Sequence, residues 1–201
     1  MSHPYVDAAW YVARGTGVVD LVLLTVVVAL GVTTRSGRTL PGLPRYALAT
    51  VHRTSSLLAL VLLAIHVGML LLDPYAQLRL VDVVLPFLGA RKPIWLGFGT
   101  LACDVLLALI LTSVARRRVG RRTWRVVHWS AYALFPLALA HGLGNGTDAG
   151  TPWVLGIAVG CTLAVLAAVA WRLAPDFDAR PRRRSPAPAP ARNRERTPTR
   201  G

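Results

Sequence analysis

The stretch LATVHRTSSLLALVLLAIHVGMLLLDPY, residues 48–75, is apolar enough to fill a lipid bilayer, yet it carries two histidines, His52 and His66. At about 1.5 Å of rise per residue, a helix sets them about 21 Å apart. In a hydrocarbon core about 30 Å thick, that places one ring a short way inside each face. Fourteen residues at about 100° each come within about 40° of whole turns, so the two rings point the same way. Ionisable side chains inside a membrane are rare and tend to be functional.

The rest of the chain supplies the same medium. Of 201 residues 54% are hydrophobic, while the formal net charge is +14. The apolar residues come in blocks with arginines between them. Runs of about 17 to 25 apolar residues are the length of a membrane-spanning helix, and five occur, over 15–33, 48–72, 94–115, 126–144 and 153–173. They are uncharged at length and lack an amphipathic stripe, which argues against a soluble helical bundle. The expected fold is all-α, a polytopic transmembrane bundle of about five helices.

Lys and Arg concentrate in short cytoplasmic loops. Arg35, Arg38 and Arg45 fill the first loop, and Arg116, Arg117, Arg118, Arg121, Arg122 and Arg125 the third, whereas the fourth, GLGNGTDAGTP, has none. The N-terminus and loops two and four are therefore expected outside, and the C-terminus in the cytoplasm of a multi-pass cell-membrane protein. Loop two is mixed, with Arg79, Arg91 and Lys92 against Asp73 and Asp82. Its segment LRLVDVVLPFLG suits a short amphipathic helix on the outer surface, limited by Pro86.

The opening residues have neither a basic start nor an early apolar core, so no cleavable signal peptide is expected. The expected organisation is an extracytoplasmic segment over 1–14, a transmembrane domain over 15–174 and a cytoplasmic tail over 175–201. That tail is rich in Arg and Pro and poor in aliphatics, which predicts disorder and contact with anionic lipid or an acidic cytosolic partner. It lacks the aromatics that stack on bases, so nucleic acid is not expected as a partner.

The remaining membrane histidines lie in the fourth span, which runs in the same direction as the second. His128 falls near its cytoplasmic start and His141 near its outer end. With the two spans side by side, His52 faces His128 and His66 faces His141. Two opposed imidazoles in apolar surroundings suit haem iron, and a bis-histidine site favours electron transfer over oxygen chemistry. Zinc wants four protein ligands, or three and water, and no Cys or carboxylate adjoins these histidines. The blander alternative for each ring is a hydrogen bond within the bundle. Thirteen residues on a straight helix leave His128 and His141 about 140° out of phase. Pro136, between them, is expected to bend the axis.

The segments HRTSSLLALVLLAIH and HWSAYALFPLALAH, two His pairs with thirteen and twelve intervening residues, together with RRTWRVVHWSAY and HGLGNGTD, resemble the ferric reductase-like transmembrane domain. That is the haem-bearing module of ferric reductases, NADPH oxidases and the haem-binding subunit of a periplasmic methionine sulfoxide reductase. The resemblance extends over about 15–173. It implies two b-type haems, the inner ligated by His52 and His128 and the outer by His66 and His141. No G-x-G-x-x-G fingerprint followed by an acidic residue accompanies it. Electrons are thus expected from a separate cytosolic flavin reductase or from membrane quinol, and they would pass to an extracytoplasmic reductase or a ferric chelate.

Arg53 and Arg125 adjoin the inner histidines, where they either pair with haem propionates or snorkel to the interface. Asp20 and Asp104 are membrane-embedded carboxylates, read as a proton or quinol site or as hydrogen bonds to a neighbouring helix. Trp10, Tyr11, Tyr75, Trp95, Trp124, Trp129 and Trp153 sit near span ends, where an aromatic belt is expected. Cys103 and Cys161 are not in a C-x-x-C and read as small apolar packing. His3, on the terminus, is not expected to take part.

Overall fold

The computed structural model describes residues 4–36 and 44–175. Arg38 of the first loop, His3 and nearly all of the basic tail lie outside the described residues. The described chain is helical throughout, in the order α1 (Pro4–Ser36), α2 (Arg45–Leu72), α3 (Leu80–Val84), α4 (Pro93–Val114), α5 (Arg116–Val119), α6 (Arg121–Trp129), α7 (Ala131–Asn145) and α8 (Pro152–Leu173). Five segments are long and apolar enough to cross a membrane: Ala8–Ser36, Tyr46–Leu72, Pro93–Val114, Arg121–Asn145 and Pro152–Leu173. The chain is a multi-pass helical membrane protein. Helix α1 begins well before the first apolar run, so residues 4–14 continue the first span as helix.

Helix α1 is the spine of the bundle, packing along α2, α8 and α7, while α4 packs along α7. The second and fourth spans meet through side chains more than along their backbones: Ala59 of α2 shares a core cluster with Leu134 of α7, and the His66 and His141 rings lie near each other. Helix α2 packs along α1 and, more lightly, α4. A heptad register builds the α1–α2 contact. Seven residues advance a helix to within about 20° of two full turns, so residues seven apart share a stripe. On α2 that stripe is His52, Ala59, His66, and on the antiparallel α1 it is Gly17, Leu24, Gly31. Large faces small at each level: Gly17 meets His66, Gly31 meets His52, and Leu24 packs in one cluster with fully buried Ala59. That cluster, completed by Ala102, Leu106, Leu109 and Leu134, forms an apolar plug at mid-depth between the two histidine levels.

The fourth span is two helices. Helix α6 ends at Trp129 and α7 starts at Ala131, with Ser130 between them. The helix continues through Pro136, so the interruption falls one to two turns before the proline. There Ser130 N–H donates to Val127 O at 3.0 Å and Ala133 N–H to Ser130 O at 2.9 Å, both three-residue bonds. Ser130 Oγ also donates to Val127 O at 2.7 Å, a back-bond that bends helices. Each residue wound at the tighter 3₁₀ pitch adds about 20°. Two or three such residues carry His141 toward the phase of His128, which answers part of the mismatch.

Among the described residues, two ion pairs organise the face that the charge pattern assigns to the outside, called outer below. Arg14 pairs with Asp148 and stands 5.0 Å from the Trp10 ring centre and 5.3 Å from that of Trp153, clamping α1 to loop four and the start of α8. In loop two, Arg79 donates through Nε and a terminal nitrogen to Asp82, at 3.0 and 2.7 Å, and Arg79 backbone N–H adds a third bond at 3.0 Å. Asp82 is 1% exposed. Thr100 Oγ1 donates to its carbonyl at 2.7 Å, fastening α3 to α4. Helix α3 forms within the predicted loop-two segment, with Leu80 and Val84 exposed as a surface-lying helix requires.

The hydrogen bonds from Arg79 hold the Asp82 carboxyl below the usual carboxylate range. A depressed folded value means that the stabilisation is complete above about pH 4 and is lost as pH falls through the folded value. Asp82→Asn is therefore expected to unfold at lower temperature than wild type at pH 7, with the difference closing in acid. Melting in detergent across pH checks this; a difference independent of pH would rule out the ion pair as its cause.

Candidate functional site

The histidines of α2, α6 and α7 are brought to two levels in the way the sequence suggests. At the outer level the His66 and His141 ring centroids are 6.3 Å apart and their planes meet edge-on at 83°. At the inner level His128 lies within electrostatic reach of His52. Among the described residues no three His, Cys, Asp or Glu side chains converge into a metal cluster. The histidines meet in twos, which suits a metal whose other positions are filled by a macrocycle and does not suit zinc.

Each outer ring is aimed by a backbone carbonyl. His66 Nδ1 bonds Ala13 O at 2.6 Å, and His141 Nδ1 bonds Trp95 O at 2.9 Å. His52 Nδ1 bonds Val27 O at 3.1 Å. A carbonyl only accepts, so each Nδ1 carries the proton and each Nε2 keeps its lone pair for a ligand. One local device makes all three bonds. Ala13, Val27 and Trp95 each lie four residues before a glycine, respectively Gly17, Gly31 and Gly99, and the missing side chain opens the helix surface to the ring. A Cβ at Gly17 would stand 2.9 Å from His66 Cε1, one at Gly31 3.3 Å from His52 Cε1, and one at Gly99 would overlap the His141 ring.

A cavity of about 620 Å³, walled by α1, α2, α4, α7 and α8, is lined by both outer histidines. Its wall includes Leu24, Leu134 and Cys103, with Asp20 toward the membrane centre and Arg14 and Asp148 at the outer mouth. Volume and lining suit a mostly apolar ligand with a polar edge.

Other candidates divide. Arg53 and Arg125 are exposed and make no hydrogen bond or ion pair with a described residue. Asp20 is buried, and its Oδ1 has no partner among the described residues, so the reading as a hydrogen bond to a neighbouring helix fails for that atom. Asp104 lies on the exposed face of α4 with Leu107 and Leu111. Tyr11, Tyr75, Trp129 and Trp153 are exposed near helix ends in belt positions. Trp124 departs from the belt, since its ring stacks on His128 at 4.8 Å and 25°. Cys103 and Cys161 are both free thiols.

The glycines are the residues that sequence reasoning missed, although a signal was present. Gly17 and Gly31 are fourteen apart, the same spacing as His52 and His66.

Comparisons with curated proteins and with solved structures return no match. The family model described as ferric reductase like transmembrane component matches residues 16–139, well over half of the chain. The matched span contains His52, His66 and His128, with their glycines and the whole of α4, and stops two residues before His141. The chain belongs to the ferric reductase-like transmembrane component family.

Proposed function

We propose that the chain carries electrons across the cell membrane through two bis-histidine b haems, from a cytoplasmic flavin reductase or membrane quinol to an extracytoplasmic acceptor. Family membership points at a coarse level to transmembrane electron transfer. The observation that carries the finer reading is the outer pair: two imidazoles 6.3 Å apart, each with Nδ1 bonded to a carbonyl, on the wall of one cavity. When bound, haem supplies a one-electron couple that apolar surroundings and two neutral axial imidazoles keep closed to oxygen.

The chain's own residues do the remaining work. Ala13, Val27 and Trp95 hold three imidazoles in the ligating tautomer through their carbonyls. The plug around Leu24 and Ala59 keeps water from the space between the two levels. Arg53 and Arg125 lie at the inner level and fit propionate carboxylates, while arginine-rich loops one and three are assigned to the cytoplasm. An extracytoplasmic reductase or a ferric chelate is the acceptor class assigned to the outer mouth.

The test is oxidised and reduced absorption spectra of the full chain in detergent, with haem counted per polypeptide. Two low-spin b haems that titrate reversibly are expected. Reversible release of haem with an open coordination position would instead indicate a haem carrier, and a colourless protein would refute both readings.

A further inference from the structure

Three of the four membrane histidines are aimed by the same device, and the fourth is not. His128 Nδ1 is buried without a hydrogen-bond partner among the described residues, and no glycine-opened carbonyl faces it. In that place stands Trp124, one helical turn earlier on α6, its ring centre 4.8 Å from that of His128 and nearly parallel at 25°. The indole is itself anchored: Trp124 Nε1–H donates to Ser113 Oγ at 3.2 Å, near the cytoplasmic end of α4.

Stacking and hydrogen bonding constrain an imidazole differently. An Nδ1–H···O=C bond fixes the tautomer, sets the rotation of the ring in its own plane and makes Nε2 a more basic donor to a metal. A stacked neighbour fixes the tilt of the plane and does none of these. We infer that Trp124, anchored by Ser113, is the positioning residue of His128, and that the inner site therefore has the weaker, more displaceable axial ligand. The inference rests on His128 being an axial haem ligand, as in the reading above.

The experiment compares the dithionite-reduced full chain in detergent, with and without carbon monoxide, for wild type, Trp124→Phe, Trp124→Leu and Ser113→Ala. It reads spin state, the fraction of haem that binds carbon monoxide, and the midpoint potential of each haem. Trp124→Leu is expected to make the inner haem reactive, up to about half of the total, and to leave the outer spectrum and potential unchanged. Trp124→Phe, which keeps a stacked ring, should restore a low-spin inert site, with Ser113→Ala intermediate. A Trp124→Leu protein with both haems low-spin and inert overturns the inference, as does one with both sites disturbed alike, the mark of a merely structural role. Should that variant fail to fold, an unchanged inner potential and reactivity in Ser113→Ala also overturns it. Wild type without haem would instead refute the underlying ligation, a separate and distinguishable failure.

Discussion

Alanine in place of His66 is expected to cut haem from two per chain to one and to slow electron transfer across the membrane by more than about a hundredfold. Removal of a residue that only orients a metal ligand costs about 10- to 100-fold, and on the proposed reading His66 is itself one of two ligands at its level. The remaining ring, His141, cannot complete an axial pair, since no other His, Cys, Asp or Glu converges there among the described residues. On that reading the inner site keeps His52 and His128, so one low-spin spectrum should survive. Vesicles containing the variant and an internal reductant should fail to reduce an external ferric chelate. Full haem content with an undiminished rate would show that His66 is not a ligand.

The second large effect comes from a residue with no chemistry of its own. Gly99→Ala puts a methyl group into the His141 ring, which then has to leave the Trp95 carbonyl. The expected result is loss of the outer haem and a fall in electron transfer of about 10- to 100-fold, as for the loss of an orienting hydrogen bond. Gly17→Ala should be milder, because its Cβ comes to 2.9 Å of an edge carbon of His66, and Gly31→Ala milder still at 3.3 Å from His52. Gly68→Ala, with nothing within 4 Å, is the control and should retain both haems. Haem content and spectra of the four variants test the order. Equal loss in all four would reduce the glycines to general helix packing.

These effects bear on how much of the molecule can be read from the chain alone. The five spans are legible because lipid offers the backbone only self-satisfied structures, and long apolar runs are the direct record of that constraint. The pairing of the histidines is legible for a similar reason, since depth in a bilayer maps linearly onto residue number in a helix. How closely the second and fourth spans pack is not legible, because residue spacing along a helix gives depth and phase but not the distance between two axes. Pro136 marks the expected bend, whereas the break falls at Ser130, whose hydroxyl bonds the Val127 carbonyl, a competition that a serine in an apolar run does not announce. Trp124 looked like one more interfacial aromatic, because composition and position do not say which way a ring turns. The glycine–carbonyl device was visible in principle, as the fourteen-residue spacing on α1 repeats that on α2, and only the antiparallel pairing reveals that the two match.

The plug of Leu24, Ala59, Ala102, Leu106, Leu109 and Leu134 has a consequence for the energetics of the cell. Electrons tunnel through packed hydrocarbon over short distances, but protons and hydrated ions need a chain of water or polar groups, and the clustered side chains of this layer are all apolar. Asp20 borders the outer side of the layer and does not bridge it, since Leu24 lies one turn deeper on the same helix. On the proposed reading the bundle is a selective conductor: the layer would pass the lightest charge carrier and insulate against the rest, so that electrons cross without short-circuiting the ion gradients held across the same membrane.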